Sequence, residues 1–295
     1  MLKKIITIVM TLSILAGVCS CAKAPRPASL IADVVQTDDN TYECTFQDLK
    51  FKFMLVLPEK TDSNTPLILM LTGWGMNVGN LQFQTKMDET ACPRGYAVCY
   101  VQPGQGRGQY GWDCGLGYPY EVDSLEYLVN LVIYLQDEYG LSQTKAFAAG
   151  FSNGGYMIHR VAMEAPDTFL AVASIAGVMT VPVWDERVDK TSIGVLEFYG
   201  TYDNKVPQNG NGSAAESPYP AIEDVMEYWA QANGLGSVDT VALSDKAELT
   251  KYSAFLNKTQ VWSVKIEEGE HVWPSEETAG FNANELILDF FDQCS

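Results

Sequence analysis

Lys145-Ala146-Phe147-Ala148-Ala149-Gly150-Phe151-Ser152-Asn153-Gly154-Gly155-Tyr156-Met157-Ile158 is the stretch that decides the fold. Its first six residues form a short apolar run and read as a buried strand, while Gly154 to Ile158 begins an apolar helix. Ser152 falls in the turn between them, a turn tight enough to force a strained backbone conformation. Gly150 and Gly154, two residues away on either side, must be nearly free of side chain, because strand and helix almost touch there. Such a turn lifts the Ser152 hydroxyl clear of the sheet and aims helix-start N–H groups at whatever it attacks. In a chain with 24 glycines the Gly-x-Ser-x-Gly spacing alone is a weak signal. Its placement between strand and helix gives it meaning.

A serine needs a base and an orienting acid to become a nucleophile. The chain has two histidines, His159 and His271. His159 lies inside the helix that follows the turn, roughly 10 Å along its axis at about 1.5 Å per residue, so it reads as a structural or surface residue. His271, in Gly269-Glu270-His271-Val272-Trp273-Pro274, follows the strand-like run Gln260 to Ile266, where a loop can swing an imidazole over the sheet. It is the base by elimination. For the acid, the apolar run Ile193 to Gly200 ends in Thr201-Tyr202-Asp203-Asn204-Lys205. Asp203 sits just past a strand end, whereas Asp189 precedes that strand and Asp224 falls in a predicted helix. In this role Asp203 would fix the imidazole tautomer and stabilise the imidazolium.

Pro66-Leu67-Ile68-Leu69-Met70-Leu71 is continuously apolar, the mark of a central strand covered on both faces. It ends in Thr72-Gly73-Trp74-Gly75, a turn whose backbone N–H groups face the serine. The main-chain N–H groups of Trp74 and Asn153 are the candidate pair of donors for an oxyanion.

The order Ser152, Asp203, His271, with the serine on a strand–helix elbow, is that of α/β-hydrolases. Leu71 to Gly75, Gly150 to Gly155, Tyr199 to Pro207, the helix from Ile222 through Trp229, and Gly269 to Pro274 together resemble one group. It is the secreted polyhydroxybutyrate depolymerases and feruloyl or acetyl-xylan esterases, the family-one carbohydrate esterases among them. The likeness spans about residues 45–295. One departure stands out: Thr72 occupies the place where that group usually has a histidine, a change that the backbone donors survive. The resemblance implies an α/β-hydrolase fold with a mostly parallel central sheet flanked by helices. It also implies a serine esterase that needs no cofactor and cleaves feruloyl or acetyl esters of plant cell-wall polysaccharide through an acyl-enzyme. A polyhydroxyalkanoate depolymerase is the alternative within the class, and an inactive glycan-binding lipoprotein the alternative outside it.

At 295 residues, 47% of them hydrophobic, the chain can fill one α/β core. A net charge of −18 argues against a nucleic-acid partner. Met1-Leu2-Lys3-Lys4 and the apolar stretch Ile5 to Val18 read as an export signal, too short for an ordinary membrane span. Ser20 before Cys21 resembles a lipoprotein cleavage box. The expected organisation is therefore a lipoprotein signal at residues 1–20, a lipid-bearing Cys21, a flexible tether over 21–40 and a single catalytic domain over 41–295. Plain secretory cleavage near Ala22 to Ala24 is the other option. Contact with a membrane is expected only through that N-terminal lipid, with the protein exported and held at the cell envelope or surface, or secreted. Cys44, Cys92, Cys99, Cys114 and Cys294 remain, an odd number, so at least one stays free or pairs outside the chain. A metal site is not expected: there is no Cys-x-x-Cys, and two distant histidines do not make a zinc cluster.

Strands are expected near 42–46, 49–57, 66–71, 96–101, 145–150, 169–175, 193–199 and 260–266. Val122, Leu125, Leu128, Val132, Leu135 and Tyr139 recur at helical spacing. Ala221 to Asn233 and Asn284 to Phe291 give two further helices, the last with Asn282 and Glu285 spaced as a capping box. The turn-rich Gln208 to Ser213 is either a substrate-facing flap or a connection. Trp74, Tyr110, Trp112, Tyr118, Tyr120, Tyr202 and Trp273 lie near the expected mouth. Of these Trp112 and Trp273, in glycine- and polar-flanked loops, are the candidates for stacking on a sugar or aryl ring.

Overall fold

The computed structural model describes residues 26–106, 108–210 and 219–295. The expected signal at 1–20, Cys21 and part of the 208–213 turn lie outside them. The chain begins with β1 (Ala32–Asp38), β2 (Thr41–Phe46), β3 (Leu49–Val56) and β4 (Leu67–Leu71), then α1 (Val78–Thr85), α2 (Met87–Ala91) and β5 (Ala97–Val101). A small ribbon of β6 (Gln105–Gly106) and β7 (Gln109–Tyr110) leads to α3 (Ser124–Glu138), β8 (Ala146–Phe151), α4 (Asn153–Glu164) and β9 (Ala171–Ile175). Then come α5 (Val181–Asp185), β10 (Gly194–Gly200), α6 (Ile222–Ala232), β11 (Ser237–Ala242), β12 (Ala247–Ala254), β13 (Asn257–Ile266), α7 (Glu276–Ala279) and α8 (Ala283–Gln293).

Among the described residues one sheet runs in the order β1-β2-β3-β5-β4-β8-β9-β10-β13-β12-β11. Its centre, from β5 to β13, is parallel, as expected, while both flanks are antiparallel. Two separate cores explain why the central strands read as unbroken apolar runs. Leu67, Leu69, Leu71, Ala146 and Ala148 face one layer of helices, and Ile68, Met70, Phe147 and Ala149 face the other. With both faces covered, the period-2 alternation of a strand disappears from the sequence.

Register sets where the site can be. Leu71 pairs with Gly150, Phe151 with Ile175, and Gly200 with Ile266, so β4, β8, β9, β10 and β13 all end at one edge. The loops carrying Trp74, Ser152, Asp203 and His271 leave from that edge.

Three expectations need correction. The stretch assigned to a tether contributes β1, which pairs antiparallel with β2, so the folded part starts before residue 41. Strands β11 and β12 extend the far flank where none was expected; β11 is exposed along its whole length and carries no burial pattern to read. Asn282 does cap α8, accepting from the Asn284 N–H, but Glu285 instead pairs with Arg94 at 2.9 Å. The capping box lies one helix earlier, between Ser275 and Thr278. The five cysteines in the described residues are free thiols.

His159 is fully buried in α4, which makes it structural and not a surface residue. Its Nδ1 accepts from Trp229 Nε1 at 3.2 Å, which places the ring proton on Nε2, 3.0 Å from Glu197 Oε2. Burial lowers the imidazole pKa to about 3 and raises the Glu197 carboxyl well above the usual range, against the opposing pull of Ser174 and the Phe198 N–H. Burial therefore favours the neutral form of both partners. Above the ordinary carboxyl pKa, folding must take up a proton at Glu197, so this residue lowers stability as pH rises. The stability of Glu197→Gln relative to the unsubstituted chain should thus grow between about pH 5 and pH 8, by up to roughly 1 kcal/mol per pH unit. Urea midpoints at the two pH values measure it, and a pH-independent difference would count against a neutral Glu197.

Candidate active site

Ser152 has φ 55° and ψ −116°, a left-handed backbone that a side-chain-bearing residue rarely adopts. Its N–H donates to Ile175 O at 2.9 Å and its carbonyl accepts from Tyr156 N at 3.0 Å, which holds the strain in place. The two flanking glycines are required sterically. A Cβ on Gly150 would overlap the Gly154 carbonyl, and one on Gly154 would overlap the Leu71 carbonyl. β4, β8 and α4 therefore meet backbone to backbone, with the serine at the apex.

His271 bridges the other two side chains. Its Nε2 lies 2.9 Å from Ser152 Oγ and its Nδ1 lies 2.7 Å from Asp203 Oδ2. The Asp203 side chain is almost entirely buried, and its Oδ1 accepts from the Lys205 and Val206 N–H groups at 2.8 and 2.9 Å. An ionised carboxylate with an oxygen left for the imidazole suits this set of donors. The loops that carry acid and base are docked on each other. Tyr202 N–H donates to Gly269 O at 2.9 Å, and Gly200 must lack a Cβ because Gly269 lies against it. The tilted Phe151 ring, 5.1 Å away, supports the imidazole from the side.

The orientation of the two candidate oxyanion donors follows from peptide geometry. In a trans peptide, C=O and N–H face opposite directions. Gly73 O accepts from Met76 N at 3.1 Å inside the turn, so the Trp74 N–H faces outward. Ser152 O runs down α4 to Tyr156, so the Asn153 N–H faces back past the helix start. Neither N–H donates to a main-chain carbonyl of the described residues.

Trp112 and Trp273 do not line the mouth. Trp112 is completely buried, its Nε1 donating to Thr72 O at 2.8 Å, and its own N–H donates to Asn153 Oδ1 at 2.7 Å. Trp273 is 7% exposed and donates to Asn284 Oδ1 at 3.0 Å, while Asn284 Nδ2 holds Thr85 O at 2.7 Å. It anchors the His271 loop to α8 and α1. Aromatic surface at the rim comes instead from Trp74, 37% exposed and edge-on to Tyr118, and from Tyr202, 63% exposed beside Asp203. Sequence reasoning also missed Arg160 on α4, which reaches Asp113 O at 2.7 Å and Asp123 Oδ2 at 3.0 Å and ties the 113–123 loop to the elbow helix. No local pattern marks it. Among the described residues no group of three or more His, Cys, Asp or Glu is placed to hold a metal ion. No helix among them is long and apolar enough to cross a membrane.

The sequence pattern of the prolyl oligopeptidase family matches residues 82–295, a span that includes Ser152, Asp203 and His271 but not the turn at 72–74. The chain belongs to the prolyl oligopeptidase family. This family member is 27% identical over 233 residues to NocK of Nocardia uniformis subsp. tsuyamanensis, a protein named as an esterase, covering 71% of this chain and 65% of that one. It is 26% identical over 155 residues to feruloyl esterase B of Thermothelomyces thermophilus, covering 51% and 50%. The chain thus spans between half and two thirds of the length of these relatives. The acetyl xylan esterase from Aspergillus awamori superimposes with a TM-score of 0.62 over 82% of this chain and 94% of its own, at 15% identity. That likeness is one of fold, and the fold is that of an α/β-hydrolase. The family carries a peptidase's name, both sequence relatives carry an esterase's, and none of the three is named as a polyester depolymerase.

Asp203→Asn should keep the packing of this prolyl oligopeptidase family member while presenting the wrong hydrogen-bond partner to His271 Nδ1. Turnover of a small activated ester is expected to fall about 10⁴-fold, the size of the same change in chymotrypsin-type triads. Steady-state kinetics beside a circular-dichroism spectrum measure it, and a loss below about tenfold would remove Asp203 from the site.

Proposed function

We propose that the chain is a serine carboxylic ester hydrolase acting on feruloyl or acetyl esters of plant cell-wall polysaccharide. The observation that carries this reading is the single imidazole of His271 within hydrogen-bond reach of both Ser152 Oγ and Asp203 Oδ2. In the reaction, Ser152 Oγ attacks the ester carbonyl while His271 Nε2 takes the hydroxyl proton. The tetrahedral oxyanion is received by the Trp74 and Asn153 N–H groups. The adduct collapses, the C–O bond to the alcohol breaks, and His271 returns its proton to the departing oxygen. A water activated by His271 then attacks the acyl-enzyme, releasing the carboxylic acid and restoring Ser152. Asp203 remains a carboxylate throughout and keeps the imidazole oriented.

Support for the substrate class comes from the names of feruloyl esterase B and of the acetyl xylan esterase, and from the exposed rings of Trp74 and Tyr202. Such rings carry broad apolar faces suited to a sugar or an aryl group. Ser152→Ala should abolish hydrolysis of p-nitrophenyl acetate without altering the fold, and residual turnover above about one part in 10³ would refute the serine's role. Release of ferulate, acetate and 3-hydroxybutyrate from matched esters ranks the substrates. Dominance of 3-hydroxybutyrate would replace the polysaccharide reading with a polyester one.

We also propose export, with lipid attachment at Cys21 after removal of residues 1–20 and a link to the folded domain through the segment that precedes β1. Radiolabelled palmitate should enter the intact chain in a bacterial host and be lost in Cys21→Ser. Persistence of the label would exclude that attachment site.

A further inference from the structure

We propose that Trp112 is a positioning residue that holds the two oxyanion donors in register with each other. The inference rests on the ester-hydrolysis reading above. The donors come from segments with no covalent reason to keep a fixed spacing: Trp74 follows β4, and Asn153 opens α4. The run from Tyr110 to Cys114 touches both. On the β4 side, Trp112 Nε1 donates to Thr72 O at 2.8 Å, and Gly75 N–H donates to Tyr110 O at 2.7 Å, so the turn bearing Trp74 is gripped before and after the donor. The Trp74 ring itself lies flush on Gly111, where any Cβ would collide with it. On the α4 side, Trp112 N–H donates to Asn153 Oδ1 at 2.7 Å, and Asn153 Nδ2 donates to Cys114 Sγ at 3.3 Å. The residue whose main chain supplies the second donor is thus held by its own side chain.

The same contacts say what does not hold the turn. Thr72 Oγ1 is buried with no hydrogen-bond partner among the described residues, whereas the Thr72 carbonyl is bound. The side chain at position 72 is not the device; the indole that reaches the Thr72 carbonyl is. Trp112 is fully buried, so these bonds form out of water, where a polar group without its partner is expensive and geometry is correspondingly well defined. The far end of the run is fixed independently, by Thr180 Oγ1 on Cys114 O at 2.6 Å and by Arg160 on Asp113 O. Trp112 acts through the backbone donors and touches no reacting atom. A misplacement of about 1 Å in such a site costs up to 10²-fold in rate, less than the 10²- to 10³-fold cost of deleting a donor.

Trp112→Phe removes the indole N–H and keeps a ring in place. On p-nitrophenyl acetate, kcat should fall about tenfold to a hundredfold, with KM within about twofold. Affinity for a trifluoromethyl ketone, whose adduct at Ser152 carries the oxyanion, should fall by the same factor. Trp229→Phe deletes another buried indole N–H, the one that holds His159, and should lower the melting temperature while leaving kcat unchanged. Asn153→Ala, which keeps the backbone donor and loses the side-chain tie, should repeat the kcat loss, and stands in should Trp112→Phe not fold. The inference is overturned if Trp112→Phe and Asn153→Ala keep kcat within about twofold, if the loss sits in KM, or if ketone affinity is unchanged. Ser152→Ala separates the two levels. Persistent turnover there would take down the hydrolase reading and this inference together. An inactive Ser152→Ala beside a fully active Trp112→Phe would take down the inference alone.

Discussion

The backbone contact between β4, β8 and α4 is the constraint on which the rest of the structure depends. A residue with a side chain in a left-handed conformation costs on the order of 1–3 kcal/mol, and persists only where its surroundings over-determine it. Here Ser152 is held by Ile175 O on one side and Tyr156 N–H on the other, and the two glycines let strand and helix meet with nothing between them. Three consequences follow. Asn153 opens α4 directly after the serine, and its side chain is tied to Trp112 and Cys114. Leu71 and Thr72 lie directly against Gly154, which brings the turn bearing Trp74 alongside. And because β9, β10 and β13 stay in register with β8, the acid and base arrive at the same edge after short excursions.

Much of this was legible in the sequence, for reasons that differ from element to element. The elbow could be read because its steric demand is local: small residues, a serine and paired glycines within a dozen positions. The central strands were legible because burial on both faces leaves an apolar run too short for a helix and bounded by turns. The proposed base was read from scarcity, one of two histidines being set aside by its distance along a helix, and the proposed acid from its place just past a strand end; His271 does lie within hydrogen-bond distance of both Ser152 and Asp203. What could not be read depends on contacts far apart in the chain. β11 buries none of its residues and exists because β12 offers it hydrogen-bond partners. Trp112 and Trp273 sit among glycine and polar residues, a neighbourhood that reads as surface. Each indole N–H nevertheless has a buried acceptor some forty or eleven positions away, Thr72 O and Asn284 Oδ1. Local composition reports exposure of a segment on average; it says nothing about which acceptor a loop finds when it folds back.

Thr72 shows the same limit from the other direction. The resemblance read from the sequence implies a histidine where Thr72 stands, so the sequence suggests a turn that lacks one side-chain support. The geometry shifts the question from the side chain to the carbonyl, because a planar trans peptide with its oxygen bound directs the N–H of the next residue the opposite way. Gly73 O in its turn and Thr72 O on the indole fix two successive peptide planes.

Two histidine–carboxylate pairs in one molecule, within hydrogen-bond distance at 2.7 and 3.0 Å, show what separates a reactive arrangement from a structural one. Glu197 lies within β10, in the row of Ser174 and Ser263, sealed from water, and its histidine is fully buried too. In that setting the cheaper solution is for both groups to lose their charges, and burial drives each pKa accordingly. Asp203 lies beyond the end of the same strand, where the chain turns and frees the N–H groups of Lys205 and Val206 to face its oxygen. Its histidine keeps one edge accessible, with the side chain 21% exposed, and that edge faces the serine. A few residues along β10 thus change the character of a carboxylic acid, from one that joins strand to helix as a neutral acceptor to one whose negative charge can meet an imidazolium. Moving the proposed catalytic acid back into the strand would cost the charge that its role requires, a reason for an α/β sheet to place such chemistry where the strands stop.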